Sequence, residues 1–131
     1  MSGITRSEFQ CLTGIYRWGK AVHIICVDYL RGDVVGNVCV DFINGKEHSF
    51  VAGLLVAEEY RRQGYGTRLL QKAEEVSRNC GRNLIQLEIE PDTEDSEWVR
   101  KWYADRGYHY AYEWDSEYGK YEGLEKKIER N

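Results

Sequence analysis

Proline is almost missing from this chain: Pro91 is the only one in 131 residues. With so few forced breaks, and with no repeat, low-complexity tract or linker, nothing divides the chain. One domain is expected over 1–131. A membrane-length apolar run is also missing, and the start, MSGITRSEFQ, has no apolar leader region, so no membrane association is expected. A basic excess is lacking: the formal net charge is −4. Phosphate repels an acidic chain, which argues against nucleic acid as a partner. Cysteine pairs are lacking too. Cys11, Cys26, Cys39 and Cys80 form no CxxC, and no histidine stands at zinc-finger spacing, so no metal is expected. Scattered thiols of this kind suit a reducing cytoplasm, most simply as small buried hydrophobes.

What is present is a 42% hydrophobic content, enough for a core. Strand signals fill the first half. Residues 21–30, AVHIICVDYL, and 34–43, VVGNVCVDFI, are rich in β-branched side chains, with Gly36 as a candidate bulge. Asn44-Gly45 reads as a tight hairpin turn, and 47–56, EHSFVAGLLV, as the next strand. These three form an antiparallel meander. Residues 8–17 read as a further strand, with a short helix the alternative. The period then changes. Leu69, Leu70, Ala73 and Val76 follow helical spacing from Gly66, and Gly81 closes the helix. LIQLEI (84–89) is a strand that Pro91 and Asp92 end. A second helix spans about 94–106, capped by Asp92 or Thr93 and stopped by Gly107. YHYAYEW (108–114) alternates, which would put Tyr108, Tyr110, Tyr112 and Trp114 on one strand face, as core, interface or acceptor-pocket wall. A last strand lies at 121–128. The expected class is α/β with mixed layers: a meander, then β-α-β-α-β-β.

The join between the meander and the first helix carries the chemistry. It reads EEYRRQGYGTRLL (58–70). A helix N-terminus holds unpaired N–H groups and partial positive charge. Gly64 and Gly66 let successive amides converge on one point, and Arg61, Arg62 and Arg68 add charge. The stretch reads as a pyrophosphate cradle. It lacks the Lys-Ser/Thr of a P-loop, and Leu69 stands where a dinucleotide fingerprint needs its third glycine. The pattern that fits is [R/Q]xxGxG, from Arg61 to Gly66.

With that pattern in place, the sequence resembles the GNAT superfamily of N-acetyltransferases. The similarity runs from about Ala21 to Ile128. It rests on LLVAEEYRRQGYGTRLL, on VRKWYADRGYHY (99–110), similar to the family's A-x-x-x-Y-x-x-x-G-F segment, and on the closing LEKKI (124–128). The resemblance implies acetyl-CoA lying in a V-shaped split between the strand ending at Val56 and the strand starting near Leu84. Gln63, Gly64, Tyr65, Gly66 and Thr67, with Arg61 and Arg62 beside them, would hold the pyrophosphate. Leu54, Leu55 and Val56 would bond the pantetheine arm by their backbone, and an N–H near Leu55 or Val56 would polarise the thioester. Tyr103 would be the general acid for the departing thiolate, against the plainer reading that it packs beside Val99 and Trp102. Ser96 stands where the family often has Asn. Residues 1–20 are too few for the two helices that usually shape the acceptor pocket, so the acceptor side is expected to be open or completed by a second subunit.

The base is less defined by the residues. The position where family members carry Glu is Phe50, which leaves Glu47 and His48, or water. Both side chains also suit an exposed turn. Residues 88–97 hold six acids and no base, either drawing a cationic amine or simply solvating a loop and helix start. The resulting expectation is direct acetyl transfer from acetyl-CoA to a primary amine on a small molecule or peptide, by a monomer or homodimer. The alternative is a coenzyme A-binding sensor or scaffold without catalysis.

Overall fold

A computed structural model describes residues 6–90 and 95–129. The expected caps at Asp92 and Thr93, and the break at Pro91, lie outside them. Seven strands and two helices follow one another: β1 Ser7–Tyr16, β2 Gly19–Asp28, β3 Asp33–Ile43, β4 His48–Val56, α1 Tyr65–Asn79, β5 Leu84–Ile89, α2 Ser96–Ala104, β6 His109–Ser116 and β7 Gly119–Lys127. The strands make one sheet in the order β1-β2-β3-β4-β5-β7-β6. The segment at 8–17 is a strand, and β1 to β4 form the antiparallel meander. β1 turns into β2 through Arg17 and Trp18 alone, since Tyr16 pairs with Gly19. No helix therefore intervenes between β1 and β2.

Both helices pack on one face. Alternate strand residues Val22, Ile24, Val38, Val40, Phe42, Val51, Ile85, Leu87 and Leu124 join Leu69, Leu70 and Ala73 of α1 in the core, with Val99, Trp102 and Tyr103 of α2 against it. The apolar spacing of α1 buries Leu69, Leu70, Ala73 and also Glu74 and Ser77. Those two polar groups are matched: Ser49 of β4 donates to Ser77 at 2.8 Å, and Glu74 accepts from Tyr108 at 2.9 Å and from Lys126. Among the described residues no helix covers the other face.

Three details depart from the sequence expectations. The bulge beside Gly36 is real, but its extra residue is Val35. The Asn44-Gly45 turn belongs to a four-residue connection, 44–47, in which only Gly45 takes positive φ. The aromatic run after α2 does not share one face. Tyr110 pairs with Leu124 on the helix side, while Tyr112 pairs with Gly123, because a bulge between them adds one residue. One extra residue moves every later side chain to the opposite face. Tyr108 is accordingly a core residue, and Tyr112 and Trp114 face the helix-free side.

Candidate active site

β4 and β5 are the parallel neighbours of the sheet, and their pairing is short. It covers His48–Phe50 against Leu84–Gln86 and then stops. From Val51 onward the two strands diverge, which is the expected V-shaped split. A bulge helps to open it. Between its pairs with Cys39 and Asn37, β4 carries an additional residue, and Gly53 there sits at φ +66°. Leu55 and Val56 keep their partners on β3 (Asn37 and Gly36), so their other edge, toward β5, lacks a strand. An extended arm bearing amides can pair with such an edge.

A crevice outside the carboxyl ends of parallel strands, with helix starts opening onto it, is where α/β sheets bind ligands. After β4 the chain makes one 3-10 turn, Glu58–Tyr60, and Tyr60 plugs it into the core. Gly64 then caps α1 at φ +88°, in the left-handed region that side chains resist. No side chain caps the helix, and no acid lies in its first turn. The first intrahelical bond is Arg68 N–H to Gly64 O at 3.2 Å. The amides of Tyr65, Gly66 and Thr67 thus lack intrahelical acceptors, at the positive end of a fifteen-residue helix. Such a helix start can hold an anion, and its bare amides would fit a diphosphate.

The arginines are placed unequally. Arg61 donates its Nε to the Val56 carbonyl at 3.0 Å, tying the cradle to the end of β4. Arg62 bends the loop at φ +63°. Arg68 points instead to β1, bonding Ser7 and lying over Phe9. A cation that sequence reasoning missed takes its place: Arg106, just beyond α2. It donates to Thr67 Oγ1 at 3.1 and 2.9 Å, and stacks 3.7 Å from the Trp102 ring. The only trace of this in the sequence was its membership of the VRKWYADRGYHY segment.

Trp102 also joins the other elements. A Cβ at Gly66 would come 3.4 Å from its ring and 3.8 Å from Val56. The end of β4, the start of α1 and the last turn of α2 therefore meet at one point, with Tyr103 the next residue. Its ring lies edge-on to Trp102 and Tyr108. Burial pushes the Tyr103 phenol up to about 12. Ser96 opens α2 as its first residue. His48 and Glu47 are elsewhere. His48 starts β4 at the closed end of the β4–β5 pair, and Glu47 is exposed in the turn before it. Arg82 pins that end by donating to the carbonyls of Ile43, Lys46 and His48. At about 3.3 Å per strand residue, the bulge lies on the order of 15–20 Å from His48. Burial, then Lys46, holds the His48 imidazole below its usual range. These two residues are not brought together with Tyr103.

A sheet splayed between two parallel strands, with a bare helix start at its mouth, is a frame that would suit an acyltransferase and its carrier. A family model described as Acetyltransferase (GNAT) family matches residues 5–108, most of the chain. The chain belongs to that family. Solved structures with the same fold include a GNAT-family acetyltransferase from Desulfovibrio desulfuricans, at 15% identity and a TM-score of 0.72, over 82% of this chain and 69% of that one. The spermidine/spermine N-acetyltransferase of Vibrio cholerae matches at 11% identity and 0.73, over 96% and 95%. A GNAT-family acetyltransferase from Elizabethkingia anophelis with acetyl-CoA bound matches at 12% and 0.70, over 82% and 76%. No curated protein matches the sequence. Among the described residues no group of three or more His, Cys, Asp or Glu is placed to hold a metal, and no helix is long and apolar enough to cross a membrane.

Proposed function

We propose that this chain transfers acetyl from acetyl-CoA directly to a primary amine. The observation that carries this is the uncapped, acid-free start of α1, set at the mouth of the β4–β5 split. On this reading the amides of Gln63–Thr67 hold the diphosphate, with Arg61 and Arg62 at its rim. Arg106 supplies a further fixed charge next to the cradle through Thr67. The free edge of Leu54–Val56 pairs with the pantetheine arm, and the N–H groups after the bulge at Gly53 stabilise the oxyanion.

The amine nitrogen attacks the thioester carbonyl carbon and the C–S bond breaks. Tyr103 gives its proton to the departing sulfur. A phenol raised to about 12 stays protonated at any physiological pH, so the donor is always loaded. Water reaching the split from the uncovered sheet face takes the proton from the amine, a route that makes no use of His48 or Glu47. Cys26 is buried and serves no nucleophilic step, and all four cysteines are free, which suits a reducing cytoplasm. The acceptor side, left open by the absence of helices between β1 and β2, is completed by the acceptor itself or by a second copy.

Calorimetry with acetyl-CoA and with coenzyme A tests the cradle, and thiol release over an amine panel tests the transfer. Binding of both ligands, with thiol released only when amine is added, is the expected result. No heat with either ligand removes the reading. Binding without release to any amine would move the chain to the sensor class.

A further inference from the structure

Glu88 lies on β5 two residues past Gln86, the last residue that pairs with β4, and so stands in the wall of the split. Gln86 shares the side of Phe50, so Glu88 faces the helix-free surface. Two aromatic donors from β6 reach it across β7. The Tyr112 hydroxyl and the Trp114 indole N–H each donate to Glu88 Oε2 at 2.9 Å. Gly123 makes the reach possible, because a Cβ there would meet the Tyr112 ring at 2.2 Å. Trp114 is held in turn by stacking on Tyr121, 4.7 Å away and 6° from parallel.

Several buried or half-buried acids elsewhere have a cation, while Asp41 and Glu125 meet the neutral donors Cys39 and Gln86. Asp28 has Arg6, Glu122 has Arg100, and Glu74 has Lys126 and Arg78. Glu88 has none among the described residues, and its Oε1 accepts no hydrogen bond there. A carboxylate held rigidly by neutral donors, with one oxygen open and aromatic rings around it, is a receptor for a cation. The diphosphate cradle lies on the helix side, so a carrier would fill the split from there. The opposite mouth, where Glu88 sits, is the entrance left for a second reactant.

We propose that Glu88, fixed between Tyr112 and Trp114, binds the ammonium group of a cationic alkylamine that enters the split from the helix-free face. This rests on the acetyl-transfer reading for the identity of the first reactant, and it narrows the acceptor. An alkylamine is charged at neutral pH and gains from Glu88; an arylamine is neutral and does not. The open face sets no wall around the rest of the acceptor, so selection acts on the ammonium and its alkyl chain.

The test follows the indole N–H NMR signals of the four tryptophans, with Trp114 assigned by Trp114→Phe. Cadaverine, its isosteric diol and aniline are titrated into the coenzyme A-saturated protein. Saturable movement of the Trp114 signal by cadaverine, and none by diol or aniline, is expected. Glu88→Gln should weaken cadaverine about tenfold or more, the scale of a lost charged hydrogen bond. An equal response to the diol, no response to cadaverine at millimolar concentration, or unchanged affinity in Glu88→Gln would overturn the proposal. The diol comparison uses the unaltered protein and so survives a variant that does not fold. Calorimetry of the same sample with coenzyme A separates the two readings: if the carrier does not bind, acetyl transfer fails, while the cadaverine titration of the free protein still decides on Glu88.

Discussion

The two faces of the sheet differ in how they use polar groups. On the helix side the buried polar side chains of the described residues, the Tyr65 hydroxyl apart, are paired within the packing. Ser49 and Ser77 pair, Glu74 collects Tyr108, Lys126 and Arg78, and Asp28 collects Tyr60, Arg6 and two backbone amides. On the helix-free side polar groups are half-exposed, and among the described residues Glu88 and Glu125 meet neutral donors and no cation. The difference teaches a division of labour. On the proposed reading, the covered face would supply stability and the backbone cradle, and the bare face side chains for an incoming reactant.

Adjacent strands give the sharpest break of that comparison. Ile24 is fully buried under the helices, while Leu12, on the other face of the β1–β2 pair, is 63% exposed. Ile24→Ala should cost about 2–5 kcal/mol by denaturant unfolding, from lost burial plus the cavity left behind. Leu12→Ala should stay within about 0.5 kcal/mol. Comparable losses would mean that something covers the second face in solution.

Tyr103→Phe comes next in size. It keeps the ring against Trp102 and Tyr108 and removes only the hydroxyl. If the phenol donates the proton, kcat should fall on the order of a hundredfold while acetyl-CoA affinity is unchanged. Unaltered kcat would leave Tyr103 as packing alone. Gly64→Ala acts on the carrier side of the same split. It forces a side chain into the left-handed cap of α1, at about 1–2 kcal/mol. Calorimetry should show acetyl-CoA affinity falling about tenfold, with the KM for amine little changed.

The parts of this arrangement that were legible in the sequence were local. Alternation gave the strands, helical spacing gave α1, and the Gly64-x-Gly66 pair after an apolar run marked the uncapped start of α1, because its elements are consecutive. Register was not legible. YHYAYEW alternates without interruption, and nothing in it signals that the sheet inserts a bulge between Tyr110 and Tyr112. Where His48 and Glu47 fall relative to the split was not legible either, since the point at which β4 and β5 part depends on pairing and not on composition. The bond from Arg106 to Thr67, and the Tyr112 and Trp114 donors that set Glu88 apart from the other acids of 88–97, were not legible, because Thr67 is 39 residues from the one and Tyr112 and Trp114 are 24 and 26 from the other.

The smallest effect is a pH dependence that again tells the faces apart. On the helix side, burial raises Tyr103 to about 12, and burial with the carboxylate of Glu74 raises Tyr108 further. On the helix-free side, burial and Glu88 raise Tyr112. A phenol in the unfolded chain titrates near 10. The folded protein therefore holds these protons where the unfolded chain has released them, and the slope of stability against pH is negative there. The contribution is complete below about pH 10 and is lost as the pH rises toward the folded values. Unfolding free energy measured by denaturant should be flat with respect to these groups from neutrality to about pH 10, then decline. Tyr112→Phe should make that decline shallower with little loss at neutral pH, because its side chain is only half-buried. Tyr108→Phe should also make it shallower, but at a neutral-pH cost, since it strips a hydrogen bond from the buried Glu74. Identical alkaline slopes in both variants and the unaltered chain would show that the phenols on both faces titrate as they do in the unfolded state.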